Sequence, residues 1–298
     1  MQHWSLGIEQ TIRALGTVSI AYAGSKGTHL IHSFDLNQPV PGPGYVQIRR
    51  PYPQYAGIMY IDSGANSNFS SLQFSFNRSL SRGISLLAAY SFSKSIDTAS
   101  AFQSTKADPN FPQDSRNVGA ERGLSSFDIP QRLKLAYILQ LPQSTRWTRN
   151  TEFRGIATIE SGQPFTPVLR FDNSNTGNGG QTTGSDRPNL LHNPRISDPT
   201  NDRWFDTGAF AVAPPYQFGN SGRNILRGPG FASFDLSLVR SFEIEDGITL
   251  QFEAQSFNLF NRTNFDLPEL YADEPGTFGR IFSAKAPRQI QFALRLSF

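Results

Sequence analysis

Ile290-Gln291-Phe292-Ala293-Leu294-Arg295-Leu296-Ser297-Phe298 sets a large apolar side chain at every even position and a small or polar one at every odd position. In an extended chain successive side chains point to opposite faces, so the stretch reads as a strand with one greasy and one wet face. The rhythm recurs upstream in Leu250-Gln251-Phe252-Glu253-Ala254-Gln255 and Phe234-Asp235-Leu236-Ser237-Leu238. Leu133-Lys134-Leu135-Ala136-Tyr137 and Leu72-Gln73-Phe74-Ser75-Phe76-Asn77 repeat it. Segments near 3–10, 15–23, 83–95 and 150–160 follow more loosely. Roughly nine strands result, several of them longer than the ~5–6 residues usual in soluble sheets.

The links between these strands alternate in length. Tight ones fall near Gln10–Ala14, Ser79–Gly83, Leu141–Asn150 and Phe242–Gly247, and long ones span Gly24–Phe69, Ser95–Pro130, Gly162–Gly230 and Phe260–Arg288. An antiparallel meander with every tight turn at one end and every long loop at the other is the plan of outer-membrane β-barrels, which have short periplasmic turns and long extracellular loops. A soluble two-layer sandwich has no reason to sort its loops in this way. The runs Asp172-Asn173-Ser174-Asn175-Thr176-Gly177-Asn178-Gly179-Gly180 and Pro39-Val40-Pro41-Gly42-Pro43-Gly44 are too polar or too rigid for strands and are expected to be exposed, mobile loop.

Composition agrees with strands and turns: Gly 25, Pro 20 and Phe 25 against Met 2, with 38% apolar residues. There is no cysteine, which removes disulfides and thiolate metal sites. A net charge of +3 with both signs interspersed supplies no basic block, so nucleic acid is not an expected partner. No run approaches the ~18 apolar residues of a membrane helix. A barrel strand meets lipid with only every second side chain, so low hydropathy is compatible with a membrane wall. Residues 1–24 lack the basic and apolar regions of a signal peptide, which suggests truncation at the start. An odd strand count points the same way, since complete bacterial barrels have even numbers.

Several phrases resemble the barrel of TonB-dependent receptors of the Oar-like, carboxypeptidase-regulatory-like class. They are Ala89-Tyr90-Ser91-Phe92-Ser93-Lys94-Ser95-Ile96-Asp97, Ile159-Glu160-Ser161-Gly162-Gln163-Pro164-Phe165-Thr166, Gly222-Arg223-Asn224-Ile225-Leu226-Arg227-Gly228-Pro229-Gly230 and Phe257-Asn258-Leu259-Phe260-Asn261. Phe278-Gly279-Arg280-Ile281 followed by Pro287-Arg288-Gln289-Ile290-Gln291 belongs with them. The resemblance implies that residues 1–298 are the C-terminal segment of a twenty-two-stranded barrel, with the plug and N-terminal domains absent. It also implies partners: outer-membrane lipid, the barrel-assembly machinery, the TonB energy-coupling complex acting through the missing part, and a small-molecule or oligomeric nutrient. Phe292, Leu294, Leu296 and Phe298 resemble the C-terminal signal that the assembly machinery recognises, a terminal aromatic on an amphipathic last strand.

On the alternating strands Gln251, Glu253, Gln255, Gln291 and Arg295 are expected to face a watery lumen, while Leu250, Phe252, Phe292 and Leu294 face lipid. Enzyme chemistry finds no footing. His29 and His32 form an H-x-x-H pair without the third and fourth ligands that zinc needs, and read as a polar loop. Asp172–Asn178 has oxygen donors at calcium-loop spacing but lacks the closing Glu. Glu121 and Asp128 are acidic residues in a loop, where solvated charge is the default reading. Phosphate-binding, dinucleotide and nucleophile-elbow motifs are missing. No cofactor is implied. The expected function is nutrient uptake, of a siderophore, oligosaccharide or similar, across a Gram-negative outer membrane. The alternatives are a barrel anchoring a surface adhesin or glycan-binding protein, and a soluble carbohydrate-binding module, which would expose aromatic platforms instead of hiding them in an alternating face.

Overall fold

The computed structural model describes residues 1–298 except 14, 82, 102–109, 147 and 180–183. Nine long strands follow one another: β1 Gln2–Ile12, β2 Gly16–Asp35, β3 Met59–Ser81, β4 Ile84–Asp97, β5 Gln131–Gln140, β6 Thr151–Glu160, β7 Phe231–Glu245, β8 Ile248–Phe257 and β9 Gln289–Ser297. Each pairs antiparallel with the next in chain order, and a two-residue piece, Gly123–Leu124, pairs with the end of β4. The result is the expected meander, laid out as one unclosed sheet. Among the described residues its edges, β1 and β9, pair only with β2 and β8. No described helix is long and apolar enough to cross a membrane.

Register shows how deep the two-faced character runs. Ile8, Ile20, Phe74, Tyr90, Leu133, Ile159 and Ala232 are successive cross-strand partners from β1 to β7. One residue along, Glu9, Ser19, Ser75, Ala89, Lys134, Thr158 and Ser233 form the neighbouring row, which points to the other face. A single residue step thus exchanges an apolar row for a polar one across seven strands. The apolar stripe on β5 runs from Leu133 to Leu139 and on β4 from Ile84 to Phe92. At ~3.3 Å per residue and a tilt of about 40°, the side chains of these stripes span ~15–20 Å along the membrane normal, most of the ~25 Å apolar band of an outer-membrane barrel.

The four links expected to be tight lie at one end of the sheet and the four long ones at the other. Between β7 and β8 the turn is Asp246-Gly247, with Gly247 at φ +86°. A Cβ would strain that left-handed backbone, and the β7–β8 register shifts beside it, between Glu243 and Glu245. Ala14, Trp147, residues 102–109 and Gly180, which fall within expected links and loops, lie outside the described residues.

Two sequence expectations are corrected here. The long link placed at Gly24–Phe69 is mostly strand, because β2 continues to Asp35 and β3 begins at Met59, giving strands of 20 and 23 residues. His29 and His32 therefore sit on β2 and not in a loop. His29 takes φ 57° where the β2–β3 register shifts, and His32 is buried with its ring stacked 5.5 Å from that of Phe34. Strands of this length outrun the apolar band, so the β2–β3 hairpin stands above it.

Candidate functional site

The last strands place the residues singled out in the sequence on two opposed faces. Gln251 pairs with Arg295, Glu253 with Ala293 and Gln255 with Gln291, on the polar face. There the Glu253 carboxylate accepts hydrogen bonds from Ser237 Oγ and Gln255 Nε2, both at 2.7 Å. Leu250 pairs with Leu296, Phe252 with Leu294 and Ala254 with Phe292 on the other face, where the Phe252 and Phe292 rings stack 6.2 Å apart. Phe292 and Leu294 are each 70% exposed, with Phe298 beyond them. An apolar surface that continues across nine strands is far larger than a water-soluble monomer tolerates.

The polar face carries an apolar island near its middle. Leu87, Ala136 and Ile156 are cross-strand partners on β4, β5 and β6, with Ile138 beside them. They line a hollow of about 440 Å³ together with Arg154, Glu253 and Gln255.

At the long-loop end the sequence expectation of exposed loops fails for much of both runs. Asn173, Ser174, Thr176 and Asn178 are buried, as are Asn37, Gln38 and Pro39; of the proline-rich run, Val40, Pro43 and Gly44 remain exposed. The turn-forming side chains that suggested looseness bind backbone instead. Asp172 accepts from the N–H groups of Thr176 and Gly177, closing the supposed calcium loop on itself. Asn175 Nδ2 donates to the carbonyls of Gly42 and Gly44, so the two loops hold each other. Among the described residues no group of three or more His, Asp or Glu side chains is placed to hold a metal.

Glu121 and Asp128 are also corrected: both are buried and paired, not solvated. Arg187 grips Glu121 with two hydrogen bonds, at 2.7 and 3.0 Å, and Arg227 binds the Asp128 carboxylate. Arg223 donates to the carboxylate and the carbonyl of Asp97, at the end of β4, and through Nε to the carbonyl of Glu121. Asn224 Nδ2 reaches the carbonyl of Leu124, and its N–H the hydroxyl of Thr166. The 222–230 phrase is thus an anchor that lays the β6–β7 connection across the β4–β5 connection. Glycines make the close approach possible: a Cβ on Gly162 would lie 1.8 Å from the carbonyl oxygen of Gly228. Phe165, Phe205, Phe210, Leu226 and Phe278 form a small separate core joining the β6–β7 and β8–β9 connections. The Arg223–Asp97 anchor could not be found from the sequence, since the partners stand 126 residues apart.

Below this cap lies a second hollow, of about 390 Å³, between the top of the polar face and the 265–285 segment. Ile129, Pro229, Phe231, Phe265 and Leu267 are its apolar lining, and Glu160, Asp266 and Lys285 its charged groups.

A model of the outer membrane beta barrel domain matches residues 1–291. No curated protein matches the chain in sequence. Among solved structures, the outer membrane transporter YddB from Escherichia coli superposes with a TM-score of 0.50 at 10% identity, over 99% of this chain and 32% of that one. The FpvAI–pyocin S2 complex gives 0.49 at 13% identity, over 99% and 26%. At such identity the likeness is one of fold, and this chain spans about a third of YddB's length.

Proposed function

Since the chain belongs to the outer membrane β-barrel domain family, it is a wall of the Gram-negative outer membrane and not an enzyme, and we propose that it is the C-terminal part of a larger nutrient-uptake barrel. The reading is supported above all by the nine-strand alternation with all long loops at one end. In lipid an unpaired strand edge costs several kcal/mol per unsatisfied backbone group, so the open edges of β1 and β9 call for further strands to complete the cylinder. The island of Leu87, Ala136, Ile138 and Ile156 on the polar face suits a plug seated in the lumen, which would take those side chains out of water.

We assign the receptor to the TonB-dependent, Oar-like class on the phrases at 89–97, 159–166, 222–230 and 257–261, with energy coupling through a plug and periplasmic part. Gln251, Glu253, Gln255, Gln291 and Arg295 would then line the lumen. The cap of interlocked loops would present a preformed surface to a nutrient, since its segments are pinned by buried ion pairs. Deleting the gene and supplying candidate nutrients at limiting concentration tests the function. Loss of growth on one nutrient, restored by the intact gene but not by one lacking the energy-coupling segment, is the expected result. Unchanged growth on every nutrient, together with loss of surface adhesion, would favour an anchor instead.

A further inference from the structure

We propose that the hollow beneath the 265–285 segment binds a small zwitterion with an apolar body, of the class of short peptides. Its volume of about 390 Å³ falls in the range of small-molecule sites, ~300–1,000 Å³. Phe231, Phe265 and Leu267 supply apolar surface for a side chain, and the charged groups are of both signs. Lys285 Nζ lies 3.7 Å from Asp266 Oδ1, a long and therefore weak ion pair, and Ser283 Oγ already donates to the other Asp266 oxygen. An ammonium carries three donors and this one is half exposed, so it can accept a ligand carboxylate without losing a strong partner. Glu160 Oε1 stands 2.8 Å from Arg132 Nε, and Glu160 also lines the hollow. A ligand ammonium is the complement of that carboxylate.

The walls are built before any ligand arrives. Asn264, itself buried, exchanges two hydrogen bonds of 2.9 Å with the backbone of Ala232 on β7. The Lys285 N–H then donates to the Asn264 carbonyl, and Phe265 bridges to Ala284. Such preorganisation lowers the ordering cost of binding. Phe231 and Glu160 are cross-strand partners in the last row of the polar face, so the hollow opens toward the lumen side. The inference rests on the uptake reading only for the route by which ligand reaches the site.

Calorimetry on the full-length protein folded in detergent tests it, with leucyl-phenylalanine, its C-terminal amide and its N-acetyl form as probes. The free dipeptide binds, and each blocked form binds at least about tenfold more weakly, the loss of one charge-assisted hydrogen bond. Lys285→Met weakens the free dipeptide to the level of the amide and leaves the amide unchanged, while Lys285→Arg restores binding. Heat-modifiable migration confirms that each variant is folded. Absence of binding to a folded wild type, or equal affinity for all three probes, overturns the site. Binding together with unchanged growth of the deletion strain on every limiting nutrient overturns the transport reading and leaves the site standing.

Discussion

At Arg223 one guanidinium ties the β6–β7 connection to the end of β4 and to the β4–β5 connection, with both its own side chain and that of Asp97 only 3% exposed. Removing one partner of such a pair strands the other charge away from water, at a cost of ~3–5 kcal/mol. Arg223→Ala should therefore loosen the cap while sparing the sheet: limited proteolysis will cut within 161–230 much faster than in the wild type, with heat-modifiable migration unchanged. Asp186 is a second residue with a local signature. Burial raises its carboxyl above the ordinary 3.8, the Asp172 carboxylate adds to the rise, and hydrogen bonds from Asn178 and Ser174 oppose it. A folded-state value above the unfolded one means that this group's stabilisation is complete below 3.8 and is lost as pH climbs through the raised value. Amide exchange at Ser174, corrected for its intrinsic pH dependence, should be better protected in mild acid than at neutrality. Asp186→Asn should flatten the slope, and a slope that persists in that variant would assign it to another group.

Among the elements, strands and loops differ in how much of them could be read in advance. Period two was legible wherever a strand stands between lipid and water, because the two solvents impose opposite chemistry on adjacent residues whatever the partner strand. Above the apolar band both faces meet water or protein, the contrast vanishes, and the Ser-, Gly- and Asn-rich extensions of β2 and β3 read as loop. The cap was illegible for a different reason: its order comes from single contacts between distant segments, such as Asn175 with Gly42 and Gly44, which leave no periodic trace. The faces of β8 give a direct test. Phe252→Arg puts a cation on the apolar stripe and should cost ~2–4 kcal/mol if that residue lies near mid-membrane, whereas Gln255→Arg on the polar face should cost little. Urea titration in detergent or liposomes measures both, and equal losses would mean that the faces are wrongly assigned. Deleting Phe298, which projects from the end of β9, should slow assembly in cells and leave unfolding of the assembled barrel nearly unchanged.

For the whole molecule the controlling quantity is the unpaired edge. Every interior strand of the sheet is bonded on both sides, but among the described residues β1 and β9 each present a row of backbone N–H and C=O groups with no strand beyond. Water can satisfy those groups and lipid cannot, while the apolar face is satisfied by lipid and not by water. Nine strands alone are therefore at odds with either solvent, and only a closed cylinder reconciles the two demands. Expressed as residues 1–298, the chain should partition into aggregates rather than into the outer membrane, and its gel mobility should not depend on boiling. Joined to the strands that complete the wall, the same residues should fractionate with outer membranes and migrate faster unboiled than boiled. Stable, monomeric membrane insertion of residues 1–298 by themselves would mean that the two edges find each other, and the larger barrel would then be unnecessary.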